Sequence, residues 1–569
     1  MTAVVRRPAA RRPIVCGADV ELGNFVVGLD DAPGLAGARL AARLLLHAIP
    51  GPYARPTDPL GWQRGWDPQD AGRKFLRTNG GCFYIDLDHL EACVPEIRSA
   101  WDHVAAWHAM LRIAAAARAD AEALLPDGCT LQLLANNSDG RGNAYGSHVS
   151  FLVSRRLWND LFERKLHQLL VLASFLASSV VVTGAGKVGA ENGRPPVDYQ
   201  LSQRADFFES LVGPQTTYRR PLVNSRDEPL CGTTGPHAAS LARLHCIFFD
   251  ATLCHGSTLL KIGTMQLLLG MLEQGRVRTD LVLEDPVAAT VRWSHDPTLV
   301  ARARLLDGRR LTAAELQLAF LDAAEQAAAA GDYEGVVPRA AEILALWRDT
   351  LERLRAGDVA SLAPRLDWVL KRELLTGAMA RRPGLGWTDP GVKHLDHLYA
   401  SLDPADGLYL ACERGGAVER FADEAAIARF VRQPPPDTRA FGRALLQRLG
   451  GRAVADVDWD RIAIVRAGPD GVPVTRTVHL DDPLGFTRHA LGLMHAELGF
   501  ARDARSFPRT ALRPPSAGAD SLDELLDALD ATTSAWPDAS SPLPPEASAT
   551  GASEPAGATG ARGDSHEHA

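Results

Sequence analysis

The segment 79–96 constrains the fold of this chain more than any other stretch, because a strand pattern leads there into a loop dense in carboxylates. Apolar and polar residues alternate over 82–86, as in a half-buried strand, so Tyr84 and Asp86 share a face and can point into one cavity. Further ionisable side chains follow directly: Asp88, His89 and Glu91. Carboxylates this close repel one another unless a cation or a shared proton neutralises them, and clustered oxygens suit Mg²⁺.

Two other interpretations of the same segment stay open. A solvated acidic turn at the end of a strand explains the pattern equally well from the residues alone. Cys82 and Cys93 beside His89 would also suit Zn²⁺, although no second ligand pair of suitable spacing follows.

Composition sets outer bounds on the class of protein. With 569 residues, 46% hydrophobic and 23% charged, the chain is long enough for two domains plus appendages. A net charge of −8 disfavours a nucleic-acid partner. The eight cysteines form no CxxC pair, which predicts reduced thiols and a cytoplasmic location. The longest apolar run, 169–182, is short for a membrane span and contains serines, so we expect no membrane segment.

Composition also divides the chain into an arm, two folded regions and a tail. The predicted boundaries are 1–12 for a flexible N-terminal arm, 13–410 for a catalytic domain with a mobile insertion at 29–77, 411–503 for a small C-terminal domain, and 504–569 for a disordered tail rich in Ala, Ser and Pro.

Apolar periodicity predicts individual elements within these regions. Helices are expected at 36–48, 101–125, 313–330, 338–355 and 438–449, with a strand-like stretch at 407–412.

Several motifs in order carry a resemblance to a known family. The segment 79–96 resembles the catalytic strand of the Pup ligase and Pup deamidase/depupylase family, whose glutamine-synthetase-like members act on the prokaryotic ubiquitin-like protein Pup. Matching blocks cover roughly residues 11 to 500, and they include 16–23, 136–139, 143–148, 202–209, 219–229, 243–245, 261–264, 367–371 and 458–459.

The resemblance implies a fold and a set of partners. The expected fold is α+β, with a glutamine-synthetase-like antiparallel cradle packed with helices and a small C-terminal α/β domain. ATP and Mg²⁺ are the expected cofactors, and Pup or a Pup-like small protein is the expected partner.

The resemblance also implies roles for individual residues. Asp86 is the expected catalytic carboxylate, which can act as a base or as a nucleophile. The expected metal ligands are Asp19, Glu21, Tyr84, Glu91 and His148. The expected nucleotide-binding residues are Arg226, Arg243, His245 and Trp459. Ordinary structural roles remain open for some of these, such as a core tryptophan at 459 or a loop-orienting carboxylate at 21.

Three features favour the deamidase/depupylase branch. Glu91 follows Asp86 by five positions, the segment 205–209 carries paired phenylalanines, and the insertion 29–77 resembles the mobile loop of that branch. The expected activity is an ATP- and Mg²⁺-dependent hydrolysis of a C-terminal glutamine amide or of a Pup–lysine isopeptide. An ATP-dependent ligase and a nucleotide-independent pseudoenzyme that binds a Pup-like helix are the alternatives.

The sequence departs from the family pattern in the expected nucleotide pocket. Cys82 stands where the family has arginine, and Val94 stands near an expected Thr or Ser. Either Arg77 or Lys74 compensates for the lost guanidinium, or the nucleotide is bound in a different way. On this view, Cys82→Arg would tighten ATP binding.

The tail contains one helical pattern, at 521–530. Ser521 and Glu524 have the spacing of a capping box, and four leucines fall on one face with acids opposite. The segment resembles the helix by which Pup docks, so we hypothesise that it folds into the chain's own Pup groove. A marginal solvated helix and a docking peptide for another protein are the alternatives.

Overall fold

A computed structural model describes residues 11–29, 35–52, 72–232, 236–467 and 471–488 of the chain. The predicted arm at 1–12 and the predicted insertion at 29–77 lie partly outside these ranges. The predicted tail and its helix at 521–530 lie wholly outside them.

Strands occur from the first described residues to the last. They are β1 (Cys16–Val27), β2 (Lys74–Phe75), β3 (Cys82–Asp86), β4 (His89–Ile97), β5 (Thr130–Leu134), β6 (Ser147–Ser154), β7 (Lys187–Val188), β8 (Tyr199–Gln200), β9 (Phe208–Gly213), β10 (Arg220–Asn224), β11 (Leu241–Cys246), β12 (Ala303–Arg304), β13 (Arg310–Leu311), β14 (Val454–Val457), β15 (Arg461–Ala467) and β16 (Pro473–His479).

Seven of these strands form one antiparallel sheet, in the order β11-β6-β1-β4-β3-β2, with β5 also paired to β1. The long strand β1 organises this sheet. Its first half lies between β4 and β6, and its second half, from Gly23, pairs with β5. This sheet, packed with helices, confirms the α+β cradle.

The α-helices pack against the sheet and against one another. They are α1 (Leu35–Ala48), α2 (Ala100–Glu122), α3 (Arg155–Asn159), α4 (Leu166–Thr183), α5 (Pro236–Ser240), α6 (His255–Glu273), α7 (Pro286–Ser294), α8 (Ala313–Ala329), α9 (Ala340–Ala356), α10 (Asp367–Arg381), α11 (Pro390–Tyr399), α12 (Leu408–Arg414), α13 (Glu424–Arg432) and α14 (Arg439–Gly450).

The helices predicted from periodicity form within a few residues of their expected ends, and side-chain caps fix the start of two of them. Ser99 accepts a hydrogen bond from the Trp101 amide at the start of α2. Thr312 and Glu315 form a reciprocal capping box at the start of α8.

Helix α4 is apolar and long enough, at 18 residues, to cross a membrane by length and composition. The apolar run 169–182 is therefore shorter than the helix that contains it. In the fold, 83% of its apolar window is buried inside the protein. Its serines donate to carbonyls of the preceding turn, as Ser174 does to Leu170. We therefore interpret α4 as a core helix.

The strand-like prediction at 407–412 is wrong, since α12 occupies these residues. A short apolar run cannot by itself distinguish a strand from a buried helix. Tyr409 fixes the outcome, because it is buried in the main core beside Tyr399 and His108.

The described chain has two principal apolar cores. The larger one lies beneath the sheet and includes residues as late as Phe430. The second joins Tyr84, Cys82 and Cys93 of the sheet to α14 and to the hairpin strands β14 and β15. The C-terminal segment thus shares a core with the sheet face that carries Asp86. The division of the chain at residue 410 stays a prediction.

Candidate active site

A cavity of about 530 Å³ opens where the second core meets the central sheet. Strands β1, β3, β4, β6 and β11 supply its sheet wall, and the turn at Asp458 and Trp459 faces them. The volume lies within the range of small-ligand sites.

Strand register brings the carboxylates together at one side of this cavity, whose described lining includes Asp86 and Glu91 but not Glu21. Glu21 of β1 lies opposite Glu91 of β4, and Glu91 lies opposite Tyr84 of β3. Because side chains alternate along a strand, Asp86 shares the face of Tyr84. Carboxylate oxygens of Glu21, Asp86 and Glu91 all lie within 4.8 Å of one another.

Burial and mutual repulsion disfavour ionisation of this cluster. Burial, together with the negative charge of Asp86, raises the pKa of Glu21 to about 7. Burial and the charges of Asp19, Asp86 and Glu21 raise the pKa of Glu91 well above its usual value. Two buried carboxylates and the half-buried Asp86 offer the oxygen ligands that Mg²⁺ prefers, and a hard divalent cation would neutralise their charge.

The other sequence-predicted metal ligands adjoin this cluster. His148 of β6 lies opposite Asp19, and its Nδ1 is 2.8 Å from Oδ1 of Asp19. Burial alone would raise the pKa of Asp19, but the His148 imidazole holds it at about 2. The Tyr84 hydroxyl hydrogen-bonds to Glu91, and burial raises the Tyr84 pKa well above its usual value. The Tyr84 hydroxyl thus keeps its proton and can donate a hydrogen bond.

The four sequence-predicted nucleotide residues line the same cavity. Arg243 donates to a Glu228 carboxylate oxygen at 3.0 Å, and Arg226 lies 3.6 Å from the same side chain. Nδ1 of His245 is 3.3 Å from Nη1 of Arg243. Burial, reinforced by that neighbouring cation, lowers the His245 pKa well below its usual value.

Trp459 reaches the cavity from the C-terminal hairpin rather than from the sheet. Its ring is half-buried, and it packs edge-on against Phe75 with 5.1 Å between ring centroids. The guanidinium carbon of Arg443 lies 4.8 Å from the centre of the Trp459 ring. One half-buried aromatic face beside several guanidinium groups is an arrangement that fits a base and its phosphates.

Sequence reasoning missed two features of this site. Glu96 lines the cavity but is held by two arginines of α14, with 2.6 Å to Nε of Arg439 and 2.6 Å to Nη2 of Arg443. Burial alone would raise the Glu96 pKa, but the two guanidinium groups lower it to about 2. Arg73 also lines the cavity, whereas Lys74 and Arg77 are absent from its described lining.

The zinc interpretation does not match the geometry. His89 stacks on Tyr145 at 4.3 Å between ring centroids and faces Glu21 at 3.6 Å. Cys82 and Cys93 lie opposite each other in the second core. Among the described residues, the two cysteines and His89 do not converge as a ligand set.

The turn after Asp86 is tight and conformationally demanding. It contains only Leu87 and Asp88, whose φ angles are 44° and 70°. Two non-glycine residues in the left-handed region cost energy and concentrate at functional sites. Arg39 of α1 holds the turn through two hydrogen bonds to Asp88, at 3.0 and 3.2 Å.

Comparisons with known proteins point to one family. The sequence profile of the family described as Pup-ligase protein matches residues 41–463. A depupylase of Acidothermus cellulolyticus is 37% identical over 74% of this chain and 81% of its own length. A Pup–protein ligase of Acidimicrobium ferrooxidans is 36% identical over 78% of this chain and 96% of its own length.

A solved structure agrees as well. The Pup ligase PafA in complex with ADP superposes with a TM-score of 0.62 at 28% identity, covering 73% of this chain and 87% of that one. The chain therefore belongs to the Pup-ligase family of Pup-modifying enzymes.

Proposed function

We propose that this chain is a deamidase/depupylase, an ATP- and Mg²⁺-dependent hydrolase. Its substrates would be the C-terminal glutamine amide of Pup or a Pup-like protein, and the isopeptide bond that joins such a protein to a lysine. Relatives of both activities are about equally similar, so the direction of the reaction rests on the site itself. We also propose a cytoplasmic location, where the conjugated proteins would be found.

The observation that carries the hydrolase proposal is the length of the β3–β4 turn. Because the turn contains two residues, Glu91 follows Asp86 by five positions and shares its face of the sheet. The resemblance associates this spacing with the deamidase and one additional residue with the ligase. An extra residue would shift the register of β4, and a one-residue shift moves side chains to the opposite face unless a bulge absorbs it.

Asp86 is the proposed catalytic residue. Its carboxylate would take a proton from a water molecule that attacks the side-chain carbonyl, or would attack that carbonyl itself. In the first case the carbon–nitrogen bond breaks, a new carboxylate forms, and the nitrogen leaves with the proton from Asp86 as ammonia or as the lysine amine. In the second case an anhydride with Asp86 would form while the nitrogen leaves with a proton from water, and a water molecule would then hydrolyse the anhydride to the new carboxylate and regenerate Asp86.

Other residues would hold the cofactors around this carboxylate. Glu21 and Glu91 would bind Mg²⁺, with Asp19, Tyr84 and His148 completing the metal-binding face. Bound Mg²⁺ and nucleotide would supply positive charge and an anchored phosphate group next to the buried carboxylates. The proposed nucleotide-binding residues are Arg226, Arg243, His245 and Trp459.

The proposal is tested by identifying the product. The full chain is incubated with ATP and Mg²⁺ and either a Pup-like protein ending in glutamine or one ending in glutamate plus a lysine-bearing acceptor. We expect mass spectrometry to find the glutamine converted to glutamate, with far less than one ADP released per product.

Two results would contradict the proposal. Isopeptide formation with one ADP per bond would identify a ligase, the alternative that the extensive match to the Acidimicrobium ligase favours. A chain that binds the Pup-like protein, but does not bind nucleotide and cleaves no bond, would be a pseudoenzyme.

A further inference from the structure

Arg73 is a cationic side chain on the wall of the candidate active site to which the sequence assigned no role. It immediately precedes β2, which pairs with β3 so that Lys74 faces Phe83 and Phe75 faces Cys82. Continuing this register by one residue places Arg73 opposite Tyr84. Its guanidinium carbon indeed lies 4.3 Å from the centre of the Tyr84 ring.

Alternation along β2 explains why Arg73, rather than Lys74, reaches the cavity. Lys74 points to the other side of the strand, where its ammonium donates to the carbonyls of His47 and Ile49 at 3.0 and 2.6 Å. Arg77 lies beyond the strand, and its Nη2 donates to the Gly451 carbonyl at 3.2 Å. Both sequence-predicted substitutes for the missing guanidinium are thus held away from the cavity.

The contact with Tyr84 orients a permanently charged side chain. A guanidinium stays protonated in proteins, so Arg73 brings a positive charge to the cavity wall. The Tyr84 ring supports the planar guanidinium by a cation–π contact. A charged, planar fork stacked on a buried ring is well suited to hold a phosphate group through two parallel hydrogen bonds.

We propose that Arg73 binds the phosphate groups of the nucleotide and so supplies, from β2, the guanidinium that position 82 lacks. This inference rests on the proposed nucleotide-dependent function. Cys82 itself is fully buried in the second core and is not part of the cavity wall. Burial raises the pKa of the Cys82 thiol to about 12, and the nearby Arg73 and Arg443 oppose that rise.

The direct test is nucleotide affinity, measured by isothermal titration calorimetry on the full chain with Mg²⁺. Arg73→Gln should weaken ATP binding by about tenfold to a hundredfold, the range expected for one charge-assisted hydrogen-bonding group. Binding of tripolyphosphate should weaken similarly, while adenosine binding should stay unchanged. Arg77→Gln is the matched control and should bind ATP within about twofold of the wild type, since its side chain bonds to Gly451.

The outcomes separate this inference from the proposed function. ATP binding by Arg73→Gln within twofold of the wild type, or an equal loss of adenosine binding, would overturn the role of Arg73 alone. A wild-type chain that binds no ATP would overturn the proposed function and the role of Arg73 together.

Placing the guanidinium at position 82 instead of 73 allows a second, independent measurement of ATP affinity. Cys82→Arg alone should not tighten ATP binding, because it places another guanidinium beside Arg73 and Arg443. This reverses the expectation drawn from the sequence. In Arg73→Gln/Cys82→Arg, the affinity lost by the single Arg73 variant should be partly recovered. Tighter ATP binding by Cys82→Arg alone would contradict the proposal, and Arg73→Gln decides the matter if the position 82 variants do not fold.

Discussion

At the scale of residues, the candidate active site is defined by three carboxylates whose ionisation is disfavoured by burial and mutual repulsion. Glu21, Asp86 and Glu91 crowd their oxygens within 4.8 Å in a largely buried setting. Charges of one sign held this close destabilise the folded state unless a cation or a proton compensates them. This destabilisation of the folded state is relieved when the site binds a cation.

Mg²⁺ should therefore raise the thermal unfolding midpoint of the full chain by a few degrees, because it binds the folded cluster and not the unfolded chain. Glu91→Gln should be more stable than the wild type without Mg²⁺, since it removes one of the repelling carboxylates. It should also gain less from added Mg²⁺. Glu284→Gln, at an exposed surface pair, is the control and should respond like the wild type. An equal Mg²⁺ response in both variants would contradict a metal site at Glu91.

At the scale of elements, strand β4 connects the carboxylate cluster to helix α14. Glu91 near one end of β4 belongs to the cluster, and Glu96 near the other end is clamped by Arg439 and Arg443. Removing one partner of a buried ion pair leaves uncompensated charge, which costs about 3–5 kcal/mol. We therefore expect Glu96→Gln to destabilise the chain by about this amount at neutral pH.

The pH dependence of this effect has a definite sign. Since the folded-state pKa of Glu96 is about 2, below its usual 4.5, its contribution is fully present above pH 4.5. It is lost as the pH falls towards 2. The difference in denaturant-unfolding free energy between wild type and Glu96→Gln should thus shrink from pH 6 to pH 3. A difference that is constant with pH would contradict the pairing, and Glu342→Gln, which breaks an exposed pair with Arg339, should show only a much smaller trend.

At the scale of the whole molecule, two apolar cores meet at one cavity. The sequence predicted the elements of the larger core more completely than those of the second core. Apolar periodicity and capping residues predicted the long helices, and the alternation at 82–86 predicted that Tyr84 and Asp86 share a face. Those signals are local. The convergence of Glu21 with Glu91 depends on the register of β1 against β4, which links residues 70 positions apart.

The errors have the same physical origin. The stretch 407–412 has too few residues for its apolar pattern to identify a helix, and the packing of Tyr409 decides the outcome. Lys74 and Arg77 were expected to replace the guanidinium missing at position 82, but the alternation of β2 points Arg73 into the cavity instead. Pairing partners of so short a strand cannot be identified without its neighbours.

The role of Asp86 is tested most directly by the substitution Asp86→Asn, which removes the carboxylate with almost no change in side-chain volume. Release of ammonia from a Pup-like protein ending in glutamine would be measured with ATP and Mg²⁺, alongside ATP affinity and the unfolding midpoint. We expect turnover to fall at least about a hundredfold, as for loss of a general base, while the midpoint and the ATP affinity stay near those of the wild type. A folded Asp86→Asn chain that keeps more than about a tenth of wild-type turnover would contradict the central role of Asp86.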